Sequence, residues 1–194
     1  LILPEVIPED AADFTLAPRF YDYTAMLDYV PNANNEFDLF FLGSDDGIAV
    51  VGEDDPSDPF SGNSFDARIM WQRLDARWRY STQRFENSLA ASFLHSKSWF
   101  YFGPDWELIA RNIQPHLRED ATIDVGSWNK IRAGADVRLS DFDMEATIMR
   151  PPKEGDRGID IGSEDTVQTE IDVSEWICGA YFDDVMQPVR WVQL

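Results

Sequence analysis

The sequence predicts an all-β fold, an antiparallel up-and-down meander of about seven to nine long strands. Apolar and polar residues alternate with period two over most of the chain, whereas helical periodicity is scarce. Clusters of turn-forming residues separate the alternating segments. Short connections alternate with long charged ones, so we expect consecutive strands to pair as hairpins.

The first hairpin is predicted from two alternating segments, 20–30 and 36–43, on either side of 31–35. Proline, asparagine and alanine fill this connection, which is typical of a turn. An acidic loop over 44–63 follows the hairpin. The remaining strands are predicted over 65–81, 87–102, 106–117, 129–150 and 166–182, and another begins over 189–194. Between them we predict turns over 82–86, 103–105 and 183–188 and a charged loop over 151–165. The segment 118–128 is ambiguous. The fifth strand is predicted to be weaker because Pro115 interrupts its ladder of hydrogen bonds.

The polar faces of these strands carry full charges, which suits either of two architectures. In a soluble sandwich the charged face meets water and the apolar face meets a second sheet. In a transmembrane barrel the charged face lines the lumen and the apolar face meets lipid. The second architecture predicts lumen-facing Arg73, Arg77, Arg79, Arg132 and Arg138, and lipid-facing Leu74, Ala76, Trp78 and Tyr80.

Two features favour a partial transmembrane β-barrel over the sandwich. The predicted strands, of about 11–20 residues, exceed the usual length of about 5–6. Trp and Tyr side chains lie near strand ends, which is typical of aromatic girdles. We also expect the loops 44–63 and 151–165 to lie at one end of the sheet, opposite the turns at 31–35 and 82–86. In a bacterial outer membrane the end with long loops faces outwards.

Composition excludes several classes of protein. The chain has 194 residues with 16 Lys and Arg against 36 Asp and Glu, a net charge of −20 that excludes nucleic acid as a main partner. Hydrophobic residues make up 44%, which argues against disorder. The single cysteine, Cys178, excludes a disulfide framework and is expected to be buried or lipid-facing. The chain opens on Leu1 without Met and stops at Leu194 within a strand-like run, so we expect a single fragment, 1–194, of a longer protein.

No enzyme and no cofactor are predicted. His95 and His116 lie on different predicted strands, and the chain has no Gly-x-Ser-x-Gly, no phosphate-binding glycine loop and no zinc spacing. The acidic loop has hard oxygen ligands that suit Ca²⁺, but not in the EF-hand spacing, so a solvated extracellular loop is favoured. These acidic residues are Asp45, Asp46, Glu53, Asp54, Asp55 and Asp58.

Two motifs resemble a known family. Pro-Arg-Phe-Tyr-Asp-Tyr at 18–23 and Phe-Leu-Gly-Ser-Asp-Asp at 41–46 resemble barrel strands of a proteobacterial branch of the TonB-dependent outer-membrane receptors. The resemblance implies a 22-stranded barrel closed by an N-terminal plug, located in the cell outer membrane. The implied activity is uptake of a scarce nutrient such as a metal chelate, with membrane lipid, the transported small molecule and TonB as partners. This sequence has no plug domain, so coupling to TonB is expected only through a plug outside it.

Two alternatives from other classes stay open at this point. One is a soluble antiparallel β-sheet binding module, for carbohydrate or another ligand, that uses exposed aromatic side chains. The other is a hydrolase on a β scaffold, which requires a nucleophile and a base brought together by the fold.

Overall fold

The computed structural model describes residues 14–52, 64–103, 106–149 and 166–186, which form one antiparallel sheet of seven strands. Each strand pairs with the next in the sequence. The strands are β1 (Phe14–Asn32), β2 (Asn35–Gly52), β3 (Ser64–Ser81), β4 (Phe85–Phe102), β5 (Trp106–Val125), β6 (Asn129–Met149) and β7 (Thr166–Met186). The predicted all-β meander is therefore confirmed. The sheet formed by these residues is open, with β1 and β7 at its two edges rather than closed into a barrel.

Three strands run clearly further than the sequence predicted. β1 spans Phe14–Asn32 rather than 20–30. β2 continues to Gly52, so residues 44–52 are strand rather than loop, and β7 continues to Met186 through most of the predicted turn 183–188. The sequence Gly43–Gly47 favours a turn locally. Its backbone nevertheless pairs with β1 on one side and β3 on the other, and this tertiary pairing overrides the local preference.

β5 is one continuous strand, although Pro115 lies near its middle. Pairing with β6 skips Gln114 and Pro115, whereas Pro115 remains opposite Phe93 of β4. Proline has no N–H to donate, so the predicted interruption of the ladder is confirmed, but it does not end the strand. The ambiguous segment 118–128 resolves into the end of β5 and a turn, where Gly126 adopts a φ of 77°.

The connections fall at two ends of the sheet, as an antiparallel meander requires. Turns 33–34, 82–84 and 126–128 lie at what we call the short-turn end. The strand ends that flank 53–63 and 150–165 lie at the opposite end, together with those that flank 103–105, and we call this the long-connection end. The predicted placement of the connections is confirmed for these strand ends. Residues 53–63 and 150–165, and the predicted strand over 189–194, lie outside the described residues.

Side chains alternate between two faces along each strand, and the register aligns them in rows that cross the sheet. Face A carries Leu74, Ala76, Trp78 and Tyr80, and face B carries the five predicted lumen-facing residues, Arg73, Arg77, Arg79, Arg132 and Arg138. The two predicted sets thus lie on opposite faces.

The sheet that the described residues form is a single layer, and these residues enclose no conventional hydrophobic core. Among the described residues, Ala67 and Ala146 are the buried hydrophobic ones. Large apolar side chains are instead exposed, including Leu27 at 61%, Trp176 at 67% and Phe182 at 68%. So much exposed apolar surface requires a covering medium or partner.

Candidate functional site

Face A carries an apolar band that crosses all seven strands near the short-turn end. Its three central rows contain a single charged residue, Glu119. From β1 to β7 the rows are Ala25, Phe41, Leu74, Phe93, Pro115, Leu139 and Trp176, then Leu27, Leu39, Ala76, Ala91, Leu117, Val137 and Cys178, then Tyr29, Phe37, Trp78, Leu89, Glu119, Ala135 and Ala180. Residues that are far apart in sequence therefore form one continuous apolar surface, which we call the apolar band.

The polarity of face A reverses beyond the apolar band, towards the long-connection end. On β6 the apolar residues of this face end at Leu139, and Asp141, Asp143 and Glu145 follow on the same face. On the neighbouring β7, Asp172 and Glu170 lie directly opposite two of these acids. This half of face A suits water, whereas the other half suits an apolar medium.

Face B shows the opposite arrangement. Near the short-turn end it is charged, and at the long-connection end two rows are apolar apart from Thr169. These rows are Pro18, Ile48, Ala67, Phe100, Leu108, Ala146 and Thr169, then Val50, Phe65, Phe102, Trp106, Ile148 and Val167. Each face thus has one apolar and one polar half, and the halves are exchanged between the faces.

Sequence reasoning missed this exchange. Alternation places apolar side chains on one side of the strand over 131–139 and over 167–173, but the first set lies on face A and the second on face B. A signal is present within β6, where apolar residues occupy odd positions up to Leu139 and even positions from Phe142. Such a change of phase moves the apolar side chains to the other face of the sheet.

An aromatic ladder runs towards the short-turn end of face A, and its first three rings, Tyr29, Phe37 and Trp78, belong to the apolar band. Successive ring centroids lie 6.2–6.3 Å apart along Tyr29, Phe37, Trp78, Tyr80 and Phe85. The indole Nε1 of Trp78 donates a hydrogen bond of 3.0 Å to Asn35. Amphipathic rings at the border between apolar and polar surface are typical of interfacial girdles.

The charged half of face B is organised into ion pairs. Arg77 contacts Asp38 at 2.8 Å, Arg73 contacts Asp75 at 2.9 Å, and Arg118 contacts Asp120 at 2.7 Å. Arg79 pairs with Glu36. The partners lie on the same strand or an adjacent one, so this half of face B is hydrophilic without a large excess of local charge.

Asp45 lies on the polar half of face A, beyond the apolar band, between two arginines. Arg68 Nε donates a hydrogen bond of 2.7 Å to Asp45, and Arg19 Nη2 lies 3.3 Å from the same carboxylate. The hydrogen bond from Arg68 is the largest cause that lowers the pKa of Asp45 below its ordinary value. Asp45 is therefore held ionised.

The described part of the predicted acidic loop, residues 44–52, is not assembled into a metal site. Asp45 and Asp46 are neighbours in β2 and so lie on opposite faces, and Asp46 instead accepts a hydrogen bond of 2.7 Å from Ser44 Oγ. The remaining predicted ligands, Glu53, Asp54, Asp55 and Asp58, lie outside the described residues. Within the described part of the chain, no three metal-ligating side chains come together.

The ion pair of Asp45 predicts a dependence of stability on pH. A lowered carboxyl pKa adds stability above the unfolded value of about 3.9, and this contribution is lost as the pH falls through the folded value. We expect Asp45→Asn to reduce the free energy of unfolding at pH 7 by about 1 kcal/mol or less, because the arginines are partly exposed. Urea unfolding at several pH values should show the difference shrinking below about pH 4. A difference that persists at pH 2.5, or that survives in an Arg68→Gln background, would contradict this assignment.

The two histidines do not form a shared site, since His95 lies on face A and His116 on face B.

Within the described residues, no helix is long and apolar enough to cross a membrane. In comparisons with known proteins, no family model matches the chain and no curated protein matches it.

Proposed function

We propose that this chain is part of the wall of an outer-membrane β-barrel receptor for TonB-dependent uptake of a nutrient such as a metal chelate. The apolar band of face A lies against lipid, and the charged half of face B lines the aqueous lumen. The observation that carries the proposal is the continuity of the apolar band across all seven strands. Lipid covers the exposed apolar side chains that a single-layer sheet leaves without a core.

The dimensions of the apolar band support this orientation. On β6 the band runs from Ile131 to Leu139, close to the roughly 9–11 residues of a tilted transmembrane strand. The opposite orientation would bring Arg73, Arg77 and Arg79 towards lipid, at a cost of about 2–4 kcal/mol for each at the bilayer midplane.

In this proposal, the point on each strand where face A changes from apolar to polar residues marks where the strand leaves the membrane. Each of the seven strands has 18–21 residues, about twice the length that the hydrocarbon region requires. The polar half of face A therefore projects into water at the long-connection end. That end faces the exterior in this class of barrel.

The receptor part of the proposal rests on the resemblance of the motifs at 18–23 and 41–46 to TonB-dependent receptors. These motifs lie on the paired strands β1 and β2, with Tyr23 directly opposite Gly43. The open edges at β1 and β7 are the positions at which further barrel strands would pair.

The soluble binding module is less well supported. It requires one layer over the apolar half of face A and a second over the diagonally opposite half of face B. Each layer would have to end at the middle of a sheet that is continuous from end to end. In the barrel, the membrane boundary lies at the middle of the sheet. This boundary explains why face A changes there from apolar to polar residues, and face A then needs no covering protein layer.

The native cysteine tests the membrane part of the proposal. Cys178 lies in the central row of the apolar band and is exposed in this sheet. In outer membranes that contain the full-length protein, we expect Cys178 to react with apolar N-phenylmaleimide and to resist a charged maleimide. As a control, Ser92→Cys in a Cys178→Ala background lies on face B and should react with a small charged maleimide. Rapid reaction of Cys178 with the charged reagent in intact membranes would refute lipid contact.

Binding to TonB tests the receptor part. The full-length protein, purified in detergent, is expected to retain the periplasmic domain of TonB on an affinity resin, whereas an outer-membrane barrel of another class is not. If lipid contact at Cys178 is found without TonB binding, the barrel assignment stands and the receptor assignment fails.

A further inference from the structure

A group of cations lies on face A just beyond the apolar band. The Lys and Arg residues of this half of the face are Arg19, Arg68, Lys97 and Arg111, which occupy two adjacent rows across β1 to β5. The facing half-strands of β6 and β7 carry acids instead. In a chain with a net charge of −20, this concentration of positive charge on one part of one face is a distinct feature.

Three of these cations form a structured group around Trp99 and Asp45. The Lys97 Nζ lies 4.4 Å from the centroid of the Trp99 ring, and the Arg68 guanidinium carbon lies 5.1 Å from the same ring. Arg19 and Arg68 share the single carboxylate of Asp45. These contacts fix the cations in place, as cation–π and bidentate contacts do.

The group retains positive charge after its internal pairs are counted. Arg19, Arg68 and Lys97 contribute three positive charges, and Asp45 with the nearby Asp66 contributes two negative ones, which leaves one. Lys97 has no ion pair among the described residues. By contrast, the Arg111 guanidinium lies 2.7 Å from Asp143 and 2.9 Å from Glu145, so its charge is already matched.

A cavity of about 330 Å³ lies at this group, and Arg19, Arg68, Trp99 and Tyr101 line it together with the acidic Asp66. Lys97 does not line the cavity but lies on the Trp99 ring at its edge. Gly47, which pairs with Arg19 on one side and Arg68 on the other, also lines the cavity. The site thus combines guanidinium groups with room for a compact anion.

Aromatic and apolar side chains also lie between the apolar band and these cations on β1 and β3, although Gln72 interrupts them on β3. Tyr21 and Met70 lie on this face, each two residues, or about 7 Å, from Arg19 and Arg68 respectively. A molecule bound here would have its charged end at the arginines and an apolar end along the band. A free anion would make no use of the adjoining apolar surface.

We infer that the group formed by Arg19, Arg68 and Lys97 binds the phosphorylated headgroup of an outer-leaflet lipid whose acyl chains lie along the apolar band. The inference rests on the proposed function, because it requires face A to meet the membrane. Arg19, Arg68 and Lys97 contact the phosphate, and Trp99 provides the rigid surface on which two of these cations are held.

The test uses the full-length protein purified in detergent, with diphosphorylated lipid A as the probe in a titration at 0.15 M salt. We expect the double variant Arg19→Gln/Lys97→Gln to bind about 25-fold more weakly, a factor of about five for each cation removed. Arg111→Gln is the matched control and should bind within about twofold of wild type, because its charge is already paired. Lipid A from which both phosphates have been removed should not compete.

Three results would overturn the inference. They are equal binding of dephosphorylated lipid A, a loss in Arg111→Gln as large as in the double variant, and displacement of lipid A by inorganic phosphate at equal concentration. Thermal unfolding midpoints within a few degrees of wild type establish that the variants are folded. Cys178 labelling in outer membranes distinguishes a failure of this inference from a failure of the proposed function. Lipid contact at Cys178 without phosphate-dependent binding refutes this inference alone, and loss of lipid contact refutes the proposed function.

Discussion

Replacing Ala91 by arginine is expected to destabilise the membrane-inserted protein by about 2–4 kcal/mol. Ala91 lies in the central row of the apolar band, between Ala76 of β3 and Leu117 of β5. In the proposed orientation a guanidinium group at this position enters hydrocarbon, where it finds neither water nor a counter-ion. Urea titration of the full-length protein in lipid vesicles measures the loss, and reduced insertion of the variant into the outer membrane is the expected cellular effect.

The adjacent residue provides a matched control. Ser92 lies on face B of the same strand, opposite Asp75 and His116. Ser92→Arg places the same side chain in the charged half of that face, so we expect a change within about 0.5 kcal/mol. Equal losses for the two variants, or a larger loss for Ser92→Arg, would contradict lipid contact on face A.

Replacing Gly43 by alanine is expected to cost about 1–3 kcal/mol, because an added methyl group would overlap a tyrosine ring. Tyr23 lies directly opposite Gly43 and covers it, and a Cβ built at Gly43 lies 2.7 Å from Tyr23 Cζ and 2.8 Å from Tyr23 Oη, closer than van der Waals contact allows. The ring is also fixed on its other sides. It stacks on Phe41 with centroids 5.7 Å apart, and Gln72 Nε2 donates a hydrogen bond of 3.1 Å to its hydroxyl.

Two variants isolate this cause of the Gly43 effect. In a Tyr23→Ala background, Gly43→Ala should be nearly neutral, which a double-mutant cycle measures from urea unfolding. Gly47→Ala on the same face of β2 should also be nearly neutral, since the closest atom to its added Cβ is 3.5 Å away. A loss at Gly43 that persists without the Tyr23 ring would assign the effect to the backbone instead.

Local alternation was sufficient to predict the strands and their order. Segments such as 65–81 and 129–150 alternate, and a short turn joins each of them to a neighbouring strand, 82–84 after the first and 126–128 before the second. The predicted end of β2, at residue 43, was wrong because Gly43–Gly47 has the composition of a turn. The strand conformation of this segment depends on its pairing with β1 and β3. Pairing between residues distant in sequence is not encoded in a local window.

The candidate site was predictable only in part for the same reason. The separation of Arg77 from Trp78 follows directly from alternation. The group around Asp45 does not follow from alternation, because Arg19 and Arg68 contact the Asp45 carboxylate from two different strands. These arginines are 26 and 23 residues from Asp45 in the sequence. The exchange of polarity between the faces required the phase of alternation to be followed through each long strand, and then aligned across all seven.

The central claim is that face A meets lipid over one half of the sheet and water over the other. Spin labels at four single cysteines on β6, in a Cys178→Ala background, test it most directly in the full-length protein inserted in vesicles. The sites are Ala135 in the apolar band, Ser140 on the charged half of face B, Ala146 on the apolar half of face B, and Thr147 on the polar half of face A. The account predicts that oxygen relaxes the label at 135 most strongly, that a water-soluble nickel complex relaxes the labels at 140 and 147, and that the label at 146 is shielded from the nickel complex. Equal nickel accessibility at 135 and 147 would contradict the account, since both residues lie on face A and differ only in which half they occupy.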